Sequence, residues 1–173
     1  MPHWKRSVNS APAWTGSSEK SFRWPRVRTV VPPHAHVPGL NARHPEDWFD
    51  HIKASVTGET PLALLGQAEA WQVGLTYFHD GYFWECHEVL EAVWMRAPDP
   101  SPERALIQSM IQLANARLKL RMDKPNAARR LCGMVDDLLR QCGAAETILG
   151  VKLCDIGTWV NDTRDMIKLR YDA

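Results

Sequence analysis

The chain has 173 residues, 45% of them hydrophobic and 24% charged, with a net charge of +1. That mixture suits one domain of ordinary size plus a tail and excludes collagen-like or wholly disordered chains. No stretch approaches the roughly 18 unbroken apolar residues of a membrane-spanning helix, so no membrane role is expected.

The small net charge hides an asymmetry. Residues 1–44 hold seven basic side chains against Glu19 alone, a net +6, and the remaining residues hold fourteen against nineteen, a net −5. The same segment carries six of the twelve prolines and shows neither helical nor alternating periodicity, so it cannot pack a core of its own. Residues 1–31 are therefore expected to be a disordered basic arm. An over-extended gene start fits them better than a transit peptide, because an amphipathic targeting helix is lacking. Residues 32–60 form an irregular leader containing Pro and His, and residues 61–173 a helical domain. The four cysteines, Cys86, Cys132, Cys142 and Cys154, form no CxxC pair, which argues for reduced thiols in a cytoplasmic protein.

From residue 61 onward the pattern is helical, with clear punctuation. Pro61 opens a first helix whose apolar residues recur at three-and-four spacing up to Asp80-Gly81. A second helix spans about 83–96 and is stopped by Pro98, Pro100 and Pro102, with Ser101 as N-cap of a third over 102–122. Asp123 and Pro125 break that helix, and a fourth covers about 125–141. A short extended piece, Ile148–Val151, leads to a last helix over about 155–170. Nothing alternates with period two over a useful length, so a sheet is not expected. The fold class predicted is all-α: an antiparallel bundle of about five helices with an irregular N-terminal arm.

Candidate chemistry lies on the second helix. Wound at its natural pitch, that segment puts Phe83, Cys86, His87, Val89, Leu90, Val93 and Trp94 on one arc with Glu91 at its edge, which predicts that His87 and Glu91 face the core flanked by two large aromatics. Glu85 falls on the far side as a solvated charge, with Glu88 near the boundary. Three readings compete. A metal site would use His87 and Glu91 with His44 and His51 from the leader, although HExxE lacks the second histidine of a zincin. A general acid–base site would use the histidine tuned by its carboxylate neighbour. A structural pair would find partners in Gln108, Gln112 and Asn115 on the third helix, and this is the preferred reading. Basic residues are few: Arg129, Arg130 and Arg140 on the fourth helix, with Arg117, Lys119 and Arg121, so nucleic acid is not an expected partner.

The run Phe78-His79-Asp80-Gly81-Tyr82-Phe83-Trp84-Glu85-Cys86-His87-Glu88-Val89-Leu90-Glu91-Ala92-Val93-Trp94 resembles the signature F-x-x-G-x-[FY]-[FW]-E-x-H-E-x-L-E-x-x-W of the family known as domain of unknown function 309 (DUF309). Leu106-Ile107-Gln108 resembles that family's next segment, and Pro125–Leu131 its following helix start, with Lys124 and Ala127 where Asn and Gly are usual. Val37-Pro38-Gly39-Leu40 with His44-Pro45 and His51 resembles the leader of some longer members, so the likeness extends over about residues 32–170. It implies an all-helical domain with no assigned activity and singles out Glu85, His87, Glu88, Glu91, Trp94, Gln108 and Gln112. The function expected is a module binding a small molecule or a protein through a His/Glu/Trp pocket that includes Trp84. The alternative is a metal-dependent hydrolase using His87 and Glu91, for which a divalent cation would be the cofactor. A second copy of the chain remains an open partner.

Overall fold

The computed structural model describes residues 29–172; the expectations for the basic arm up to Arg28 lie outside the described residues. The element order is a four-residue helix α1 (Asp50–Lys53), a 3-10 turn (Leu62–Gln67), α2 (Glu69–Asp80), α3 (Phe83–Arg96), α4 (Pro102–Arg121), α5 (Pro125–Gln141), two two-residue strands β1 (Thr147–Ile148) and β2 (Val151–Lys152), and α6 (Leu153–Tyr171). Helices α2 to α6 are the five of the predicted bundle. Each of α2 to α5 packs on the next in sequence, and α6 lies across α5 and α4. Among the described residues no helix is long and apolar enough to cross a membrane.

Local chemistry accounts for most boundaries. Gly81, at φ +84°, ends α2 in the left-handed conformation that a side chain resists, and the N–H of Tyr82 reaches back to Tyr77 O at 2.8 Å to satisfy an end carbonyl. Ser101 Oγ accepts from the N–H of Arg104 at 3.1 Å, and Pro102 and Pro125 open α4 and α5 where no intrahelical N–H is needed.

Two expectations need correction. The first helix does not run unbroken from Pro61, because Ala68 is extended at ψ 139° and α2 begins only at Glu69. The N–H of Ala70 is capped by Ser55 Oγ at 2.9 Å, a partner fifteen residues upstream. The extended piece after α5 is a two-pair antiparallel ladder, Thr147 with Lys152 and Ile148 with Val151. Leu149 (φ 48°) and Gly150 (φ 80°) form its turn, the two positive angles that a tight hairpin requires. That turn is locked from outside, since Trp71 Nε1 donates to Leu149 O at 3.0 Å and a Cβ on Gly66 would stand 3.1 Å from the same oxygen.

The core is one cluster centred on α2, α3 and α4, with Trp71, Leu75, Leu90, Leu106, Met110 and Leu113 wholly or almost wholly buried. Helix α4 is enclosed nearly all round; Gln108, Gln112, Asn115 and Lys119 form its half-buried stripe. At Gly74 the helices touch so closely that a Cβ would lie 2.3 Å from Leu90 Cδ2.

Candidate functional site

Helix α3 buries a different face from the one its aromatic residues suggest. Cys86, Val89, Leu90 and Val93 point inward as expected, but so does Glu85, at 0% exposure, whereas Glu91 is exposed. The prediction of an inward Glu91 and a solvated Glu85 is thus reversed. The reason is geometric: Glu85 precedes Val89 by four residues, so it shares the face of Val89, while Glu91 lies two residues from both Val89 and Val93 and points away. Phe83 and Trp94 pulled the predicted arc around the helix, yet both are only half-buried.

The leader answers the buried carboxylate. Glu85 Oε1 accepts from the main-chain N–H of His36 at 2.6 Å and from His44 Nε2 at 2.8 Å. The His44 side chain is 1% exposed. Its ring stacks on His34 with centroids 4.6 Å apart, meets Phe49 edge-on at 5.6 Å, and lies 5.9 Å from Trp84. Trp84 receives the edge of His36 at 4.9 Å, and the Arg43 guanidinium sits 5.1 Å from its centroid. Below, Tyr77 donates from its hydroxyl to Val30 O at 2.8 Å. Desolvation, with the Glu85 charge adding to it, raises the Tyr77 and Tyr82 hydroxyls and the Cys86 thiol above their ordinary values. Glu88 makes a 3.4 Å contact with Lys53 Nζ of α1, so the leader is fastened a second time one turn further on.

The other flank of α3 forms a polar seam with α4. His87 Nδ1 donates to Asn115 Oδ1 at 3.0 Å, which is one of the α4 partners expected from the common stripe of Gln108, Gln112 and Asn115. Toward the end of the seam Trp94 carries the Arg104 guanidinium 3.8 Å above its ring. Arg104 Nη1 donates to the main-chain oxygens of Trp94 at 3.0 Å and Ala97 at 2.8 Å. Trp94 Nε1 is occluded and has no acceptor. Trp94, Arg104, Gln108 and Gln141 line part of an open depression of about 530 Å³.

The candidate metal ligands do not converge. His44 is sealed against Glu85, His51 is exposed on α1, His87 is on the α4 seam, and Glu91 faces outward. Among the described residues no group of three or more His, Cys, Asp or Glu is placed to hold a metal ion. The expected basic region is also thinner than its composition implies, because Arg117 is buried. Its Nε donates to Thr163 Oγ1 at 2.7 Å and its Nη2 to Trp159 O at 3.3 Å, and burial lowers the pKa of this guanidinium.

Sequence reasoning misplaced Glu85, which only the family resemblance singled out, and missed His36, Asn41, Tyr77 and Arg104. Glu85 left a local signal, its four-residue spacing from Val89; His36 and Tyr77 act through partners 49 and 47 residues away, whereas Asn41 and Arg104 bond to residues nearby in the chain. The family model described as Domain of unknown function (DUF309) matches residues 71–131, which takes in α2, α3, α4 and the start of α5 and leaves out the leader and α6. No curated protein and no solved structure matches the chain.

Proposed function

Because residues 71–131 belong to the DUF309 family, we propose that this protein is a binding module whose recognition face is the seam between α3 and α4. The face comprises His87, Glu91, Trp94, Gln108 and Gln112. One observation carries the reading: this is where the fold leaves hydrogen-bonding capacity unspent. Of the signature polar residues, Glu85 is used on the leader and Glu88 on Lys53. Among the described residues no hydrogen bond reaches the side chain of Glu91, Gln108 or Gln112, and the His87 ring uses Nδ1 alone. Two amides and one imidazole nitrogen along a half-buried strip, with the exposed Glu91 carboxylate at its rim, can meet a ligand that has both donors and acceptors. A small polar molecule lying along the seam toward Trp94 is the ligand this supports best. The free thiols suit the reducing cytoplasm as its site of action.

A catalytic reading draws on one further detail. Asn115 holds the imidazole of His87 by Nδ1, so that Nε2 keeps its capacity to move a proton in the seam. Metal-assisted hydrolysis gains no such support.

A thermal-shift survey of small organic acids, amides and nucleosides tests the binding reading, with the parent chain compared to His87→Ala and Gln112→Ala. At least one compound should raise the melting temperature of the parent and not of the variants. Compounds that shift all three chains alike, or none, overturn the proposal.

A further inference from the structure

The opposite flank of α3 carries a second binding arrangement, which does not rest on the seam. The loop from His36 to His44 leaves the surface between two anchors that meet at one atom, Glu85 Oε1. Between them residues 38–43 are exposed, yet the loop is highly organised. Asn41 Oδ1 accepts the N–H of Val37 at 2.9 Å, Asn41 Nδ2 donates to Ala35 O at 2.9 Å, and His34 Nε2 donates to Ala42 O at 2.7 Å. The His44 imidazole enters a pocket walled by His34, Trp48, Phe49 and Trp84, with the carboxylate at its base.

One observation marks this as an occupant in a receptor: the loop satisfies only half of the carboxylate, since among the described residues Glu85 Oε2, on a side chain wholly removed from solvent, has no hydrogen-bond partner. A buried carboxylate oxygen without a donor is a fault in an ordinary core contact.

We propose that the groove between α2 and α3 with Glu85 at its base is a receptor for a peptide segment that carries a histidine and a free main-chain N–H. Residues 34–44 are its intramolecular occupant, a strap that a histidine-bearing segment of a partner protein displaces. The strap has the advantage of tethering, equivalent to millimolar local concentration, so the partner must supply a donor for Glu85 Oε2 that the strap lacks.

The test uses the full-length His44→Ala variant and a synthetic peptide of residues 34–49 added in trans. The variant should melt below the parent, and the peptide should restore part of the loss in a saturable way. The same peptide with alanine in place of its last histidine should not, and neither should the intact peptide on a chain that also carries Glu85→Leu. No response to the intact peptide at millimolar concentration, or an equal response to the altered one, overturns the proposal. Should His44→Ala fail to fold, the parent chain gives the readout. Millimolar peptide should accelerate tryptic cleavage after Arg43 several-fold without changing cleavage within α5, and an unchanged rate at Arg43 refutes displacement.

Discussion

The clearest quantitative consequence concerns Glu85. Its carboxylate is wholly buried and takes two donors, the His36 N–H and His44 Nε2. Removing a buried carboxylate that two donors meet costs about 3–5 kcal/mol, because those donors stay in the interior without an acceptor. For a chain of this length each kcal/mol corresponds to about 2–4 °C in melting temperature, so Glu85→Ala should lower it by about 6–20 °C. Glu85→Gln keeps a neutral acceptor for one of the donors and should cost less, about 1–3 kcal/mol. Glu91→Gln, on the exposed side of the same helix, should melt within about 2 °C of the parent. The measurement is urea and thermal unfolding followed by circular dichroism at one pH and salt concentration, with tryptophan fluorescence in parallel because Trp84 touches His36 and His44. Replacing both partners with apolar groups, Glu85→Leu with His44→Phe, should cost less than the two single changes added together. Should Glu85→Ala unfold at the same temperature as Glu91→Gln, the buried clasp does not hold the leader and the burial argument for α3 fails.

The thiols and the α2–α3 contact give two further expectations. Cys86, Cys132 and Cys142 are buried and Cys154 is exposed; burial raises the first three thiols, that of Cys142 to about 11. A raised thiol stays protonated and unreactive at pH 8, so a chromogenic disulfide reagent should titrate one thiol rapidly in the folded chain and all four in denaturant, and two fast native thiols would contradict the packing. Gly74→Ala should destabilise by about 1–3 kcal/mol, since its Cβ would lie 2.3 Å from Leu90 Cδ2; combining it with Leu90→Ala should cost less than the sum, and strict additivity in unfolding measurements would place the contact elsewhere.

What was legible in the chain, and what was not, follows from how far away each determinant lies. Helices α4 and α5 were bounded by Ser101, Pro102 and Pro125, residues whose effect on the backbone is local. The start of α2 was misjudged because its determinants are Ser55 Oγ and the Leu149 turn, one fifteen residues before Ala70 and the other far downstream. The seam was half legible: the α4 stripe predicted an amide partner for His87, and Asn115 supplies it.

Glu85 is the instructive failure. A helical wheel that counts Phe83 and Trp94 as inward residues drags the predicted inner face toward His87 and Glu91 and leaves Glu85 on the outer side. The steric pattern argues otherwise, because a residue four before a wholly buried position lies on the same face whatever its polarity. A carboxylate forced inward by such spacing must find donors, and the place to seek them is a segment with no core of its own. Here that segment held His34, His36 and His44 within eleven residues, so the irregularity that made the leader look dispensable is also what leaves its main-chain N–H groups and imidazoles available to Glu85.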